Sequence, residues 1–213
     1  MIEKIVLSDY LKRLDNIIQW QEIDVFNKES VSQHSFKVSV FTRIIVEELF
    51  LNEHQDDDYE LAYTISSFKL AAVTHAIFHD WDEAIFLRDV SHSVKYNKHN
   101  GQDVRKTIDD YVKFEFDKEF DDSDVCKNLL YHSIIDVNTS VKKVVKVADW
   151  LALFFFCRRE LALGNKSFED TYNYCRQGIV KSAMDMIEEM KSKFGISCES
   201  VYNAIIHNVI FSK

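Results

Sequence analysis

The dipeptide His79-Asp80, with Glu83 three residues further on, sets an imidazole and two carboxylates where a long apolar helical pattern stops. On a regular helix, adjacent side chains diverge by about 100°, so a neighbouring His and Asp serve different partners there. At a helix end the chain can turn and bring both to one point. Two further donors stand elsewhere: His34, in the first turn of a helix predicted to open at Ser30, and Asp149, inside the apolar run Val144 to Phe156. An ionised carboxylate among valines and phenylalanines is costly unless a cation or hydrogen bonds compensate it, and a metal ion would do so. Two imidazoles and two carboxylates make a mixed nitrogen and oxygen set suited to Zn, Mn, Fe, Co or Ni, with positions left for water and a phosphate oxygen. His75, four residues before His79, is a rival ligand that reads better as packing. His132 with Asp136 reads as an exposed helical pair.

The elements that must position these groups are helices. The chain has 213 residues, no proline and only four glycines, a scarcity of breakers that favours helices joined by short loops. Periodicity predicts a first helix from Ser8 to Trp20, with Leu11, Leu14, Ile17 and Ile18 on one face. Ser30-Val31-Ser32-Gln33 has the form of a capping box opening a second helix through Phe36, Val40, Ile44 and Leu49. The acidic run Asp56-Asp57-Asp58 suits the start of a third, which carries Leu61, Ile65, Phe68, Ala71, Ala72 and His75 to His79. Short turns or loop follow from Trp81 to Asn97, then helices from His99 to Phe120 and Asp124 to Asp136. Asn138 or Thr139 should cap a buried central helix, Val141 to Leu163, ended by Gly164. Ser167 is expected to cap a helix to about Met190, stopped by Gly195, before a last helix from Ser197 to Phe211. With no linker or repeat, residues 1–213 read as a single all-α domain, a helical bundle.

The net charge of −9 disfavours binding along a nucleic-acid polymer, where a basic face supplies the affinity. A small phosphorylated ligand stays compatible, since local cations override the global sign. No apolar run reads as long enough to cross a bilayer, and the amino terminus turns polar within three residues, so the expectation is a cytoplasmic protein with no membrane partner. Cys126, Cys157, Cys175 and Cys198 are widely spaced and expected to be reduced.

In order and spacing, His34, His79-Asp80 and Asp149 within Val145-Lys146-Val147-Ala148-Asp149-Trp150 resemble the signature of HD-domain phosphohydrolases. Closer resemblance, to the bacterial 5′-deoxynucleotidase branch and related phage dATP triphosphohydrolases, lies in Gln19-Trp20, Glu29 to Ser35, His79 to Glu83, Asp89 to Tyr96 and Arg159 to Asn165, over roughly Leu14 to Asp170. The resemblance implies that His34, His79, Asp80 and Asp149 hold one divalent metal ion (Co, Mn, Zn, Fe, Ni or Mg). It further implies that Glu83 and Asp89 are catalytic positions, Glu83 being the acid at the scissile P–O bond. By the same likeness Trp20 and Lys95 bind substrate, Trp20 packing on the sugar and leaving no room for a 2′-hydroxyl, and the chain pairs as a homodimer; Gln19, at a family arginine position, and Arg88, a candidate replacement cation, are added to the substrate-binding set.

Departures from the family pattern bear on specificity. Gln19 stands where the family has arginine, Asn27 replaces another arginine, Gln33 replaces glutamate, and the turn Asp89-Val90-Ser91-His92-Ser93 lacks its usual prolines. A bidentate phosphate fork is thereby exchanged for a neutral amide; Lys28, Arg88 or Lys98 are candidate replacements. The expected activity is hydrolysis of 2′-deoxynucleoside 5′-monophosphates. Tripolyphosphate release from a dNTP such as dATP is the alternative, and a non-catalytic nucleotide sensor the rival from another class. The apolar stripe Val201, Ala204, Ile205 and Val209 could serve the dimer or the fold, and the composition suits a phage or low-GC organism.

Overall fold

The computed structural model describes residues 6–51, 59–90, 98–99, 102–120 and 125–210. Among these residues the chain forms α1 (Val6–Asn16), α2 (Val31–Leu49), α3 (Tyr59–Phe78), α4 (Trp81–Phe86), α5 (Val104–Glu119), α6 (Val125–Ile134), α7 (Thr139–Ala162), α8 (Glu169–Phe194) and α9 (Glu199–Ile210). A 3-10 turn, Lys166–Phe168, precedes α8, and Lys98–His99 pairs antiparallel with Gln102–Asp103. The all-α class therefore holds. Lys95, the run Asp56-Asp57-Asp58 and the Ser91-His92-Ser93 part of the expected turn lie outside the described residues.

Contacts group the chain into two compact units, each built from two separated stretches: residues 1–35 with 78–137, and 36–77 with 138–213. The first unit closes on Tyr10, Leu14 and Ile17, Val31, Trp81 and Ala84 of α4, Ile108, Val112 and Phe116 of α5, then Phe120 and Leu130. A six-residue helix such as α4 cannot stand alone. Trp81 anchors it: the indole is 1% exposed, stacks on Tyr10 at 4.5 Å between ring centroids and meets the edge of Phe78 at 5.5 Å.

Helix α1 ends four residues earlier than its periodicity predicts. Past Asn16 the β-branched pair Ile17-Ile18 leaves the helix for an extended pairing, with Val31 N–H donating to the Ile17 carbonyl at 2.9 Å, Gln19 N–H to Glu29 at 2.8 Å and a bridge from Ile18 to Ser30. Gln19 and Trp20 thus belong to a loop rather than a helix. Leu11, placed on the buried face by the sequence, is exposed, whereas Leu14 and Ile17 are buried. The predicted box at the start of α2 is formed in both directions: Gln33 accepts from Ser30 N–H at 3.0 Å, and Ser30 Oγ accepts from Gln33 N–H at 3.3 Å. Helix α5 starts later than His99, which is taken up by the antiparallel pairing.

The second unit is dominated by α7 packed along α8. Asn138 caps α7, its Oδ1 accepting from Ser140 N–H at 2.9 Å, and Gly164 follows the helix with φ 95°. Ser167 does not cap α8. It sits inside the 3-10 turn, its hydroxyl on Asn165 Oδ1 at 2.6 Å, and α8 runs on to Phe194 before Gly195 at φ 68°. Phe50, Phe68 and Phe194 meet edge to face. Val201 and Ile205 of α9 are buried within the fold. Of the apolar residues that mark α2 in the sequence, Leu49 is buried while Phe36, Val40 and Ile44 are exposed; Val38, Ile45 and Val46 are buried with Leu49. Tyr63, Leu70 and Ile77 of α3 are exposed as well. One stretch, 59–86, is by length and composition alone long and apolar enough to cross a membrane, contrary to the sequence reading; Ile65, Phe68, Ala72 and Ala76 within it are buried in the fold.

Among the described cysteines, Cys157, Cys175 and Cys198 are free and buried. A hydrogen bond with Cys175, then burial, pushes the Cys157 thiol far above its ordinary range, which keeps it protonated and poorly nucleophilic. At Gly178 of α8 an added Cβ would come within 2.6 Å of the Trp150 ring of α7. Gly178→Ala is therefore expected to lower unfolding stability by about 1–3 kcal/mol through overpacking, read from chemical denaturation midpoints.

Candidate metal centre and its surroundings

The site residues of the first unit are positioned by three local structures. Helix α3 ends at Phe78 and α4 begins at Trp81, so His79 and Asp80 occupy the turn between them, and adjacent side chains can converge. Asp80 is the N-cap residue of α4, and its side chain makes no capping bond. The box at Ser30 and Gln33 fixes the first turn of α2 and with it His34, only 2% exposed.

These three residues form one cluster. A donor atom from each of His34, His79 and Asp80 lies within 4.8 Å of the others. His79 Nε2 stands 3.1 Å from Asp80 Oδ2, and the two imidazoles are 5.4 Å apart between centroids. Donors at about 2.0–2.2 Å from a shared ion stand at most about 4.4 Å apart, so the spacing needs little adjustment. Two imidazoles and a carboxylate, all largely buried, fit a single divalent cation. His75 is not part of this cluster, and His132 with Asp136 is the exposed pair its spacing suggests, at 3.7 Å.

Glu83 follows one turn later and is not a solvated helix-start carboxylate. It is 2% exposed, and its Oε1 accepts from Val90 N–H at 3.4 Å. Its backbone is fixed as well, N–H to Asp80 at 3.0 Å, while its carbonyl accepts from Arg88 N–H at 3.3 Å. Leu87 closes the short helix in the left-handed conformation, φ 55°. Arg88 is exposed. Asp89 accepts from Trp20 N–H through Oδ2 at 2.7 Å, joining two loops 69 residues apart. Trp20 has φ 61°, a conformation that costs a bulky L-residue about 1–3 kcal/mol unless its surroundings enforce it. Gln19 beside it is 7% exposed.

Asp149 lies in the second unit, on α7, and has a protein partner. Lys146, three residues earlier, donates to its Oδ2 at 2.9 Å while lying over the Trp150 ring at 4.9 Å. Lys146 is thus a compensating cation from the chain itself, beside the metal ion that the sequence suggested; the i,i+3 spacing of Lys146 and Asp149 carried the signal. Sequence reasoning also missed Asp82, 3% exposed, with Arg105 Nη1 of α5 at 3.6 Å. Arg105 holds Asp109 too, at 2.8 Å, and no spacing rule links a residue of α4 to one on α5.

A helical chain with two histidines and an aspartate gathered at the α3–α4 turn, and a buried glutamate one turn on, defines an HD-domain phosphohydrolase. A family model described as YfbR-like, 5′-deoxynucleotidase YfbR-like, matches residues 7–197, and the chain belongs to that family. It is a hydrolase of nucleotide phosphate esters with a metal site. No curated protein matches the chain. Among solved structures it is similar to an HD-domain phosphohydrolase from Listeria innocua, with TM-score 0.58 and 16% identity over 94% of this chain and 96% of that one, a likeness of fold.

Proposed function

We propose that the protein hydrolyses 2′-deoxynucleoside 5′-monophosphates to the deoxynucleoside and phosphate. The observation that carries this reading is the buried Glu83, held by Val90 N–H three residues beyond the His79-Asp80 pair of the donor cluster. His34, His79 and Asp80 would hold a divalent cation, which when bound would supply Lewis acidity towards a phosphoryl oxygen and water. Asp149 joins the proposed ligands on the sequence pattern alone. Glu83 takes a proton from the attacking water and delivers one to the 5′-oxygen as the P–O bond breaks. Trp20 packs on the sugar and excludes a 2′-hydroxyl, while Gln19, Arg88 and Lys95 contact the nucleotide. The proposal also pairs the chain with a second copy; exposed Phe36, Val40 and Ile44 on α2 and Tyr63, Leu70 and Ile77 on α3 are the apolar side chains that support it.

Phosphate and tripolyphosphate release from dAMP, dGMP, dTMP, AMP and dATP, with Mn, Co, Zn or Mg, tests the substrate. Turnover of deoxynucleoside monophosphates over AMP is expected. Tripolyphosphate from dATP with inert dAMP would move the assignment to a dNTP triphosphohydrolase, and no turnover by metal-loaded protein would leave a nucleotide-binding role.

A further inference from the structure

Helix α4 carries the buried acid Glu83, yet it is only six residues long and packs between α1 and α5. A helix that short has too few internal bonds to hold its own place, so side-chain ties decide where it sits. Three are present. Trp81 stacks on Tyr10 of α1 at 4.5 Å, Phe86 stacks on Tyr111 of α5 at 5.7 Å, and Asp82 Oδ2 meets Arg105 Nη1 of α5 at 3.6 Å. Asp82 and Phe86 are four residues apart and share one face of α4. The ionic tie differs in kind from the two ring stacks. Asp82 is 3% exposed, and a carboxylate that deep needs a cation or hydrogen bonds to offset its desolvation. Arg105 reaches it from the first turn of α5, its Nη2 on the exposed Asp109 at 2.8 Å, so one guanidinium fork spans two carboxylates.

We propose that Arg105 is a positioning residue for the reaction: through Asp82 it fixes the rotation of α4 about its axis, and so the place of the Glu83 carboxylate. Asp82 and Glu83 are consecutive on one helical turn, so any rotation that carries Asp82 away from Arg105 swings Glu83 through the same arc. The proton-transfer role of Glu83 rests on the reading above; the dependence of α4 on Arg105 does not. A misplacement of about 1 Å at a reacting group can cost about 10²-fold in rate. A partial rotation therefore lowers kcat and leaves substrate binding largely intact. Removing Arg105 alone strands a buried carboxylate, whereas an amide at position 82 is neutral and needs no cation. The effect of losing Arg105 should accordingly depend on what stands at position 82.

Arg105→Met, Asp82→Asn and the double variant test this by two readouts. In steady-state kinetics Arg105→Met should lower kcat about tenfold with KM within about twofold of wild type. Made in the Asp82→Asn background, the same change should cost less than about twofold, because partners in one network are not additive. The second readout needs no activity: hydrogen exchange at the Val90 amide, which donates to Glu83 Oε1 at 3.4 Å. Arg105→Met should accelerate it about tenfold while amides of α7 and α8 keep their rates, the mark of a local rather than a global loosening. Asp82→Asn and the double variant should exchange alike. An equal loss of kcat in both backgrounds overturns the proposal, as does a raised KM at unchanged kcat, which would put Arg105 on the substrate. Unchanged Val90 exchange in Arg105→Met overturns it too. Should Arg105→Met fail to fold, recovery of folding in the double variant supports the tie and an equally unfolded double variant overturns it. If the wild-type protein turns over no nucleotide, the reading of Glu83 fails, yet Val90 exchange still decides whether Arg105 holds α4.

Discussion

Replacing Glu83 with Gln is expected to lower kcat for nucleotide hydrolysis by about 10²- to 10⁴-fold, with metal content and thermal stability near wild type. The substitution is nearly isosteric at a position only 2% exposed, so it opens no cavity. Gln retains an acceptor for Val90 N–H, which now meets Glu83 Oε1 at 3.4 Å, so the turn after α4 keeps its tie. The loss is confined to the ability to take and return a proton, which is why kcat should fall while KM changes little. Measuring bound metal by mass spectrometry alongside steady-state kinetics separates this from a structural effect. Activity above one tenth of wild type would assign the proton transfer to another group.

How far the sequence reports the molecule depends on the range of the interaction. Local signals were legible: the reciprocal box of Ser30 and Gln33, the cap of Asn138 on α7, the stops at Gly164 and Gly195, and the turn at His79-Asp80 all arise from residues within four positions of one another. Periodicity placed α2 almost to the residue but did not say which side faces inward, because Phe36, Val40 and Ile44 make as good an apolar stripe as Val38, Ile45 and Leu49. Only a packing partner chooses between them. The helix predicted through Trp20 failed for the same reason. The extended pairing of Ile17 to Gln19 with Glu29 to Val31 competes with helix there, and nothing within α1 announces it. At the site, the donors were legible as residue types in order, whereas the bonds that orient them (Val90 to Glu83, Asp89 to Trp20, Arg105 to Asp82) mostly join separate loops or helices and leave no spacing signature.

His79→Ala should abolish stoichiometric metal binding under conditions that saturate the wild type, and bring hydrolysis to background. Groups that merely orient a ligand are worth about 10–100-fold in metal affinity, so deleting one of three clustered donors should cost more than that. His79 lies in the turn between α3 and α4 rather than within a helix and is not part of the apolar cluster around Trp81, so truncation leaves that cluster's own contacts in place. His75→Ala is the control: it lies on α3 outside the cluster, and metal content should be unchanged. Asp149→Asn then separates the two explanations of the buried carboxylate on α7. Pairing with Lys146 at 2.9 Å accounts for its burial without a metal, and if that is its whole role the variant keeps its metal and loses a little stability. If Asp149 is a ligand, as the order of the family pattern implies, metal affinity falls with it, and titration of apo protein with Mn or Co gives the answer independently of turnover.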